Sequence, residues 1–385
     1  MKCLYITDPG IVGGATRSLV DVVSAMSDRG IECVVCTSSY NELNDKLNEL
    51  GIENFASGHR AVMDTPAYKK WKKPLKKIIR GFEYHVTLPS IIKGIEKRID
   101  INSLDLIHTN SARNEIGCIL SKKYGIPHIM HIREFGKEDF ECIYYRINYE
   151  KFICANTTRF IAVSEAVKDV WVRRGIERNK VSVIYNGVDN TKIIPRVDES
   201  IDNPLSMVIV GGVCEAKGQL QIVEAMGMLP DNIKKNVHLD IIGWGDPFYI
   251  KTIQDRAHEL SIDDQVRYWG ERKDVYNLLQ NYHIGLTCSR AEGFGRVTAE
   301  YMHANLAVIA SNAGANPELI CDKKSGLLYQ LDNYSDLADK ICYCYKNREN
   351  MFRMAKAGRK YAEEHFTKEK NADQIYQLYC DIINR

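Results

Sequence analysis

Long hydrophobic runs are missing from this 385-residue chain. None approaches the ~20 apolar residues that a membrane-spanning helix needs. The start, Met1 to Gly10, has one short apolar run, Cys3 to Ile6, before Asp8, too little for a secretion signal. Neither sign of charge dominates. Fifty-two lysines and arginines face 50 acids, a formal +2, so nucleic acid is not an expected partner. The Gly-x-Gly-x-x-Gly dinucleotide fingerprint is absent, which argues against an NAD-dependent oxidoreductase. Twelve cysteines are present, but they are scattered, most of them in apolar runs, where a thiol behaves as a small hydrophobe. Cys33 and Cys36 have C-x-x-C spacing, yet on a strand positions i and i+3 face opposite sides, so no metal site is expected. A cytoplasmic, reduced protein without a metal or cofactor is the expectation.

Apolar residues make up 45% and charged residues 26% of the chain, ordinary for a globular enzyme, and the length suits two large domains. Short β-branched runs alternate with helix-length segments, the pattern of parallel sheets covered by helices. In the first half, strands are predicted at 2–7, 31–37, 105–110, 127–132, 159–163 and 181–185. A helix is expected to begin near Ser18 and stop at Gly30. The irregular stretch 190–204 reads as a linker, after which strands are predicted at 207–210, 237–242, 266–268, 284–287 and 306–310. From Tyr334 onward the chain reads as helix, with one break near Phe366-Thr367. Two doubly wound α/β domains follow, and in such sheets ligands bind beyond the carboxyl ends of the strands.

The segment Ser289 to Glu300 carries the most chemistry. It follows a predicted strand and opens a helix. Gly293 and Gly295 let backbone N–H groups approach a phosphate at the helix start. Glu292 and Glu300, about two turns apart, are suited to sugar and ribose hydroxyls. Thr298 adds a hydroxyl. Lys217, in the loop after the first strand of the second half, could neutralise a diphosphate. Gly13 and Gly14 sit between a strand and a helix, a second candidate phosphate or sugar contact. His131 is expected at a strand end, beside Arg133 and Glu134.

With these residues in order along the chain, the sequence resembles the retaining glycosyltransferases of family 4, which have the two-domain GT-B fold. Gly13-Gly14, the stretches Phe160–Val167 and Val183–Asp189, Lys217-Gly218, and Glu292–Glu300 continuing to Glu318 carry the match. The resemblance implies two Rossmann-like domains facing across a cleft: an acceptor domain at 1–190, a nucleotide-sugar domain at 205–366, and a last helix, 367–385, crossing back. It implies transfer of a hexose-type sugar, with retained configuration, from a UDP- or GDP-sugar to a glycan or lipid-linked glycan. Catalytic roles fall to His131, Lys217 and Glu292. Donor contacts fall to Gly13, Gly14, Lys217, Arg272, Glu292, Gly293, Phe294, Gly295, Arg296, Val297, Thr298 and Glu300. Many members carry Arg where this chain has Gly212, and Arg272 or Arg296 is expected to compensate. The Asp-x-Asp metal-binding pair of the other major glycosyltransferase fold does not occur.

The charge balance hides one local excess. Between Thr65 and Phe82 lie seven cations and no acid. Leu75, Ile78, Ile79, Phe82 and Val86 recur at helical spacing, so residues 65–86 could contact the inner face of an anionic membrane. The plainer alternative is that this apolar stripe packs on its own sheet. Two rivals to a transferase remain: a nucleotide-sugar epimerase on the same fold, and a non-catalytic partner subunit that binds nucleotide sugar or glycan.

Overall fold

The computed structural model describes residues 1–8, 13–64, 73–137, 142–200 and 204–384. The chain forms two compact units, Met1–Gly187 with Lys368–Arg385, and Val188–Thr367.

The first unit holds a seven-stranded sheet of β1 (Lys2–Thr7), β2 (Glu32–Thr37), β3 (Glu53–Ala56), β5 (Leu106–Thr109), β6 (His128–Ile132), β8 (Arg159–Ala162) and β9 (Val181–Val183). Its order is β3-β2-β1-β5-β6-β8-β9, all parallel. A two-stranded antiparallel pair, β4 (Met63–Asp64) and β7 (Ile143–Tyr144), stands apart. Buried on both faces, the strands read as apolar runs. Alternation sends Cys3, Tyr5, Cys33 and Val35 into one core, and Leu4, Ile6, Val34 and Cys36 into the other. Cys33 and Cys36 therefore face away from each other.

The second unit holds six parallel strands: β10 (Leu205–Val210), β11 (Val237–Ile242), β12 (Val266–Gly270), β13 (Ile284–Thr287), β14 (Ala307–Ser311) and β15 (Leu327–Tyr329). They are ordered β12-β11-β10-β13-β14-β15. The stretch expected as a linker belongs largely to this unit. Ile193 and Arg196 are buried, and the Arg196 amide donates to the Ala304 carbonyl.

Three helices close the chain, Tyr334–Lys346, Arg348–His365 and Lys368–Ile383, with a break at Asn347 that the pattern did not mark. The last belongs to the first unit, where it buries Ile375, Leu378 and Tyr379. The first helix runs Gly14–Asp28, four residues earlier than the apolar periodicity suggested.

The helix Lys73–Arg98 bears on the two readings of the basic segment. It buries Tyr84, Ile92 and Ile95, and Ile99 is buried just past its end. The alternative in which the apolar stripe packs on the sheet does not hold for Ile78, Phe82 and Val86, which are 68%, 69% and 60% exposed. Lys69, Lys70 and Lys72 of the basic segment lie outside the described residues.

Candidate active site

In the second sheet the strand order reverses between β10 and β13. The loops after these strands flank the switch point, where open α/β sheets bind ligands. Two glycines let the loops meet. Gly218 has φ +74°, and a Cβ there would lie 2.2 Å from the Cys288 carbonyl oxygen. Gly314, at φ +58°, packs so closely that a Cβ would lie 2.5 Å from the carbonyl oxygen of Glu292. The Arg290 amide donates to the Ala216 carbonyl at 3.0 Å, tying the two loops together. The outcome is a half-buried pair: Lys217 Nζ donates to Glu292 Oε2 at 2.8 Å.

The helix Arg296–His303 starts from Gly295, whose φ of +80° turns the chain into its first turn. It is seated by Tyr301, whose ring covers Gly285 of β13 and whose Oη accepts the Val210 amide at 2.7 Å. Two residues expected to touch the donor are absorbed by this seating. Thr298 is fully buried and its hydroxyl pairs with that of Thr287 at 2.9 Å. The Phe294 ring is buried edge-on against Phe366, centroids 5.5 Å apart. Neither side chain offers a polar or open surface to a ligand; Gly293 and Val297, half-buried, remain at the loop and first turn.

Glu300 is buried on this helix. Its Oε1 accepts from Tyr276 Oη at 3.0 Å and from Arg296 Nε at 3.2 Å. Tyr276 carried no sequence signal, since it sits in a one-turn helix, Val275–Leu278, with no motif around it.

The expected substitutes for the cation missing at Gly212 are both engaged. Arg272 grips Asp274 through Nε and Nη2, at 2.9 and 2.7 Å, and this bond holds the Asp274 carboxyl below its usual range. Arg296 faces Glu300. Position 212 itself is open: a Cβ there would meet nothing within 4 Å. Among the described residues, no group of three His, Cys, Asp or Glu side chains could hold a metal ion.

In the first unit, Gly13 and Gly14 are exposed at the start of the helix Gly14–Asp28. His131, expected as a catalytic residue, has no exposed surface in this structure. It is the penultimate residue of β6, on the same side as Ile129, and is completely buried. Its ring lies 5.4 Å from that of His108, and burial with the nearby Arg133 charge pushes its pKa well down. The residue that leaves the strand end is Arg133, half-buried, donating to Asn110 Oδ1 at 2.8 Å and Asn186 Oδ1 at 2.7 Å. Its Nη2 is 3.4 Å from His131 Nδ1. His131 thus backs Arg133 from inside the core.

Two family models match consecutive parts of the chain: Glycosyltransferase Family 4 over residues 12–192 and Glycosyl transferases group 1 over 191–361. An uncharacterized glycosyltransferase of Methanocaldococcus jannaschii is 24% identical over 375 residues, covering 96% of this chain and 95% of that protein. The Escherichia coli UDP-Gal:alpha-D-GlcNAc-diphosphoundecaprenol alpha-1,3-galactosyltransferase is 25% identical, covering 76% of this chain and 81% of that one. Among solved structures, Anabaena HepE in complex with UDP superposes with a TM-score of 0.81 at 19% identity, covering 99% of this chain and 100% of that one. These matches, with a parallel α/β sheet in each unit, identify a glycosyltransferase of GT-B fold. The chain belongs to the family 4-like glycosyltransferases.

Proposed function

We propose that this enzyme transfers a hexose-type sugar, with retained configuration, from a UDP- or GDP-sugar to a glycan or lipid-linked glycan in the synthesis of a cell-surface polysaccharide. The observation that carries the reading is the Lys217–Glu292 pair, set by two glycine-bearing loops at the switch point. In this reading Lys217 takes up charge on the leaving diphosphate, Glu292 meets hydroxyls of the transferred sugar, and Glu300 meets the ribose. Backbone N–H groups from Gly293 to Val297 receive the phosphates. The bond from the anomeric carbon to the diphosphate breaks while the acceptor oxygen bonds to the same face. The acceptor proton leaves with the diphosphate oxygen. Glu292, engaged by an ammonium, is a poor covalent nucleophile, which favours electrostatic stabilisation of the leaving group as the main source of rate.

In the first unit, Gly13, Gly14 and Arg133 are the groups proposed to meet substrate, and His131 supports Arg133 from behind. The lipid-linked acceptor named for the Escherichia coli relative and the UDP bound to the Anabaena protein support the classes of acceptor and donor. Peripheral contact with an anionic membrane through residues 65–86 is part of the proposal. The exposed Ile78, Phe82 and Val86 stripe beside a run of cations supports it. Among the described residues, no helix is long and apolar enough to cross a membrane.

The test is nucleoside diphosphate release from UDP-, GDP-, ADP- and dTDP-sugars, with and without EDTA, comparing wild type with Glu292→Ala. Slow hydrolysis of one donor, lost in the variant, is the expected outcome. A melting shift with the matching nucleotide locates the donor even where hydrolysis waits for an acceptor. No release and no shift with any nucleotide would overturn the assignment.

A further inference from the structure

The carboxylate of Glu300 does not hold its own position. It is buried in the middle of the helix Arg296–His303, and a buried carboxylate needs hydrogen-bond donors. Two donors reach the same oxygen, Oε1, from two different elements. Arg296 Nε comes from one turn earlier on the same helix, at 3.2 Å. Tyr276 Oη comes from the segment after β12, at 3.0 Å.

These donors restrain different motions. Arg296 travels with Glu300, because both ride on the helix Arg296–His303. A bond within one helix does not by itself fix the carboxylate relative to the sheet. Tyr276 can fix it, since its segment is anchored independently. Arg272 is locked onto Asp274, and its guanidinium stacks 5.1 Å from the centroid of Trp269, on the other side of Gly270. Arg267 lies 3.5 Å from the same Trp269 ring. The end of β12 and the turn after it are thereby a fixed post from which the Tyr276 hydroxyl reaches across to Glu300.

We propose that Tyr276 is a positioning residue for Glu300, and that through this bond it sets how strongly the enzyme distinguishes a ribonucleotide from a deoxyribonucleotide. The inference rests on the reading of Glu300 as the ribose contact. A carboxylate accepts about four hydrogen bonds, so a bond from Tyr276 is compatible with further bonds from the vicinal hydroxyls of a ribose. Charge-assisted hydrogen bonds of this kind depend steeply on geometry. A carboxylate that can rotate about its last torsion loses part of that selectivity while the phosphate contacts are untouched.

The experiment is calorimetric titration with UDP and GDP and with their 2′-deoxy and 3′-deoxy counterparts, on wild type, Glu300→Gln and Tyr276→Phe. For whichever base binds, the wild type is expected to favour the ribonucleotide by roughly 10- to 100-fold over at least one deoxy form. Glu300→Gln should abolish most of that ratio. Tyr276→Phe, which removes one oxygen and keeps the ring, should reduce it by about 3- to 10-fold and leave the deoxynucleotide affinity unchanged. The ratio is read within one protein, so a general loss of stability cancels. An unchanged ratio in Tyr276→Phe, or an equal loss for both nucleotides, would overturn the positioning role. An unchanged ratio in Glu300→Gln would instead overturn the underlying ribose assignment.

Discussion

Lys217 Nζ and Glu292 Oε2 are 2.8 Å apart although their residues leave the sheet from different strands, β10 and β13. The bond means that each charge is held in place by the other before any substrate arrives. Removing either partner therefore changes two things, the contact it makes with substrate and the charge state of what is left. For Lys217→Ala the remaining carboxylate repels a diphosphate, so nucleoside diphosphate binding should weaken by more than about tenfold and turnover by about 100-fold or more. For Glu292→Gln the lysine is freed toward the phosphates. Nucleotide binding should hold or tighten, while turnover falls by a similar factor because the sugar contact is lost. Calorimetry and a transfer assay read the two separately, and near-wild-type turnover in both variants would remove this pair from the active site.

Gly212 is a different kind of position. Its backbone is not in the left-handed region, and a Cβ there meets nothing within 4 Å. The glycine is thus not demanded by packing, and the cation found here in resembling enzymes could be restored. Gly212→Arg should tighten nucleoside diphosphate binding several-fold, with a steeper dependence on salt than wild type. Titration at two ionic strengths checks this. Weaker binding in the variant would mean that position 212 does not face the diphosphate.

Gly218 makes the opposite prediction. Its φ of +74° and the 2.2 Å approach of a Cβ to the Cys288 carbonyl leave no room for a methyl group. Gly218→Ala should cost about 1–3 kcal/mol of stability and move Lys217 away from Glu292. Gly212→Ala is the matched control, expected to be neutral in both respects. Thermal unfolding with a transfer assay distinguishes them, and a fully active Gly218→Ala would show that the loop can relax without consequence.

The long apolar strands could be read from their patterning because both faces of each sheet are buried. Those that escaped had little such pattern. β3, Glu-Asn-Phe-Ala, lies at the sheet edge and buries none of its residues fully, and β15 is three residues long. At the site, Lys217, Glu292 and Glu300 could be named because glycines mark the loops that present them. The side chains of Thr298 and Phe294 are buried in the seat of the helix, a placement the linear motif hides. His131 and Arg133 differ by two positions along the chain. Only the end of β6 decides which of them stays under the sheet's helical cover and which emerges. Tyr276 reaches Glu300 across 24 residues, a contact that no local spacing encodes.

The buried histidines give the fold a direction in pH. Burial pushes His128 and His283 down to about 3, and His108 and His131 well below the ordinary value. A histidine depressed in the folded state binds its proton more readily when unfolded. The unfolded chain therefore gains protons first as the pH falls below about 6.5. Each such group removes about 1 kcal/mol of stability per pH unit between that point and its folded value. Because His108, His128 and His131 all lie in the first unit, it should become acid-labile before the second. Melting curves at pH 7.5 and 5.0 should show a marked drop, led by signals from the first unit's Trp171. A transition temperature that stays flat over this range would contradict the neutral, buried assignment.

The exposed stripe on the helix Lys73–Arg98 can be tested without touching the active site. Ile78, Phe82 and Val86 lie in solvent, so replacing them costs the core nothing. Burying a large apolar side chain is worth about 1.5–3 kcal/mol, so two of them placed in a bilayer interface matter more than any single surface lysine. Wild type should co-sediment with phosphatidylglycerol vesicles at low salt and bind phosphatidylcholine vesicles poorly. Ile78→Glu with Phe82→Glu should lose this binding by more than about tenfold while melting normally and keeping its rate on a water-soluble acceptor. Equal binding by wild type and variant would exclude the stripe. A wild type that binds neither vesicle would exclude the membrane and leave the lipid-linked acceptor to be delivered by another route.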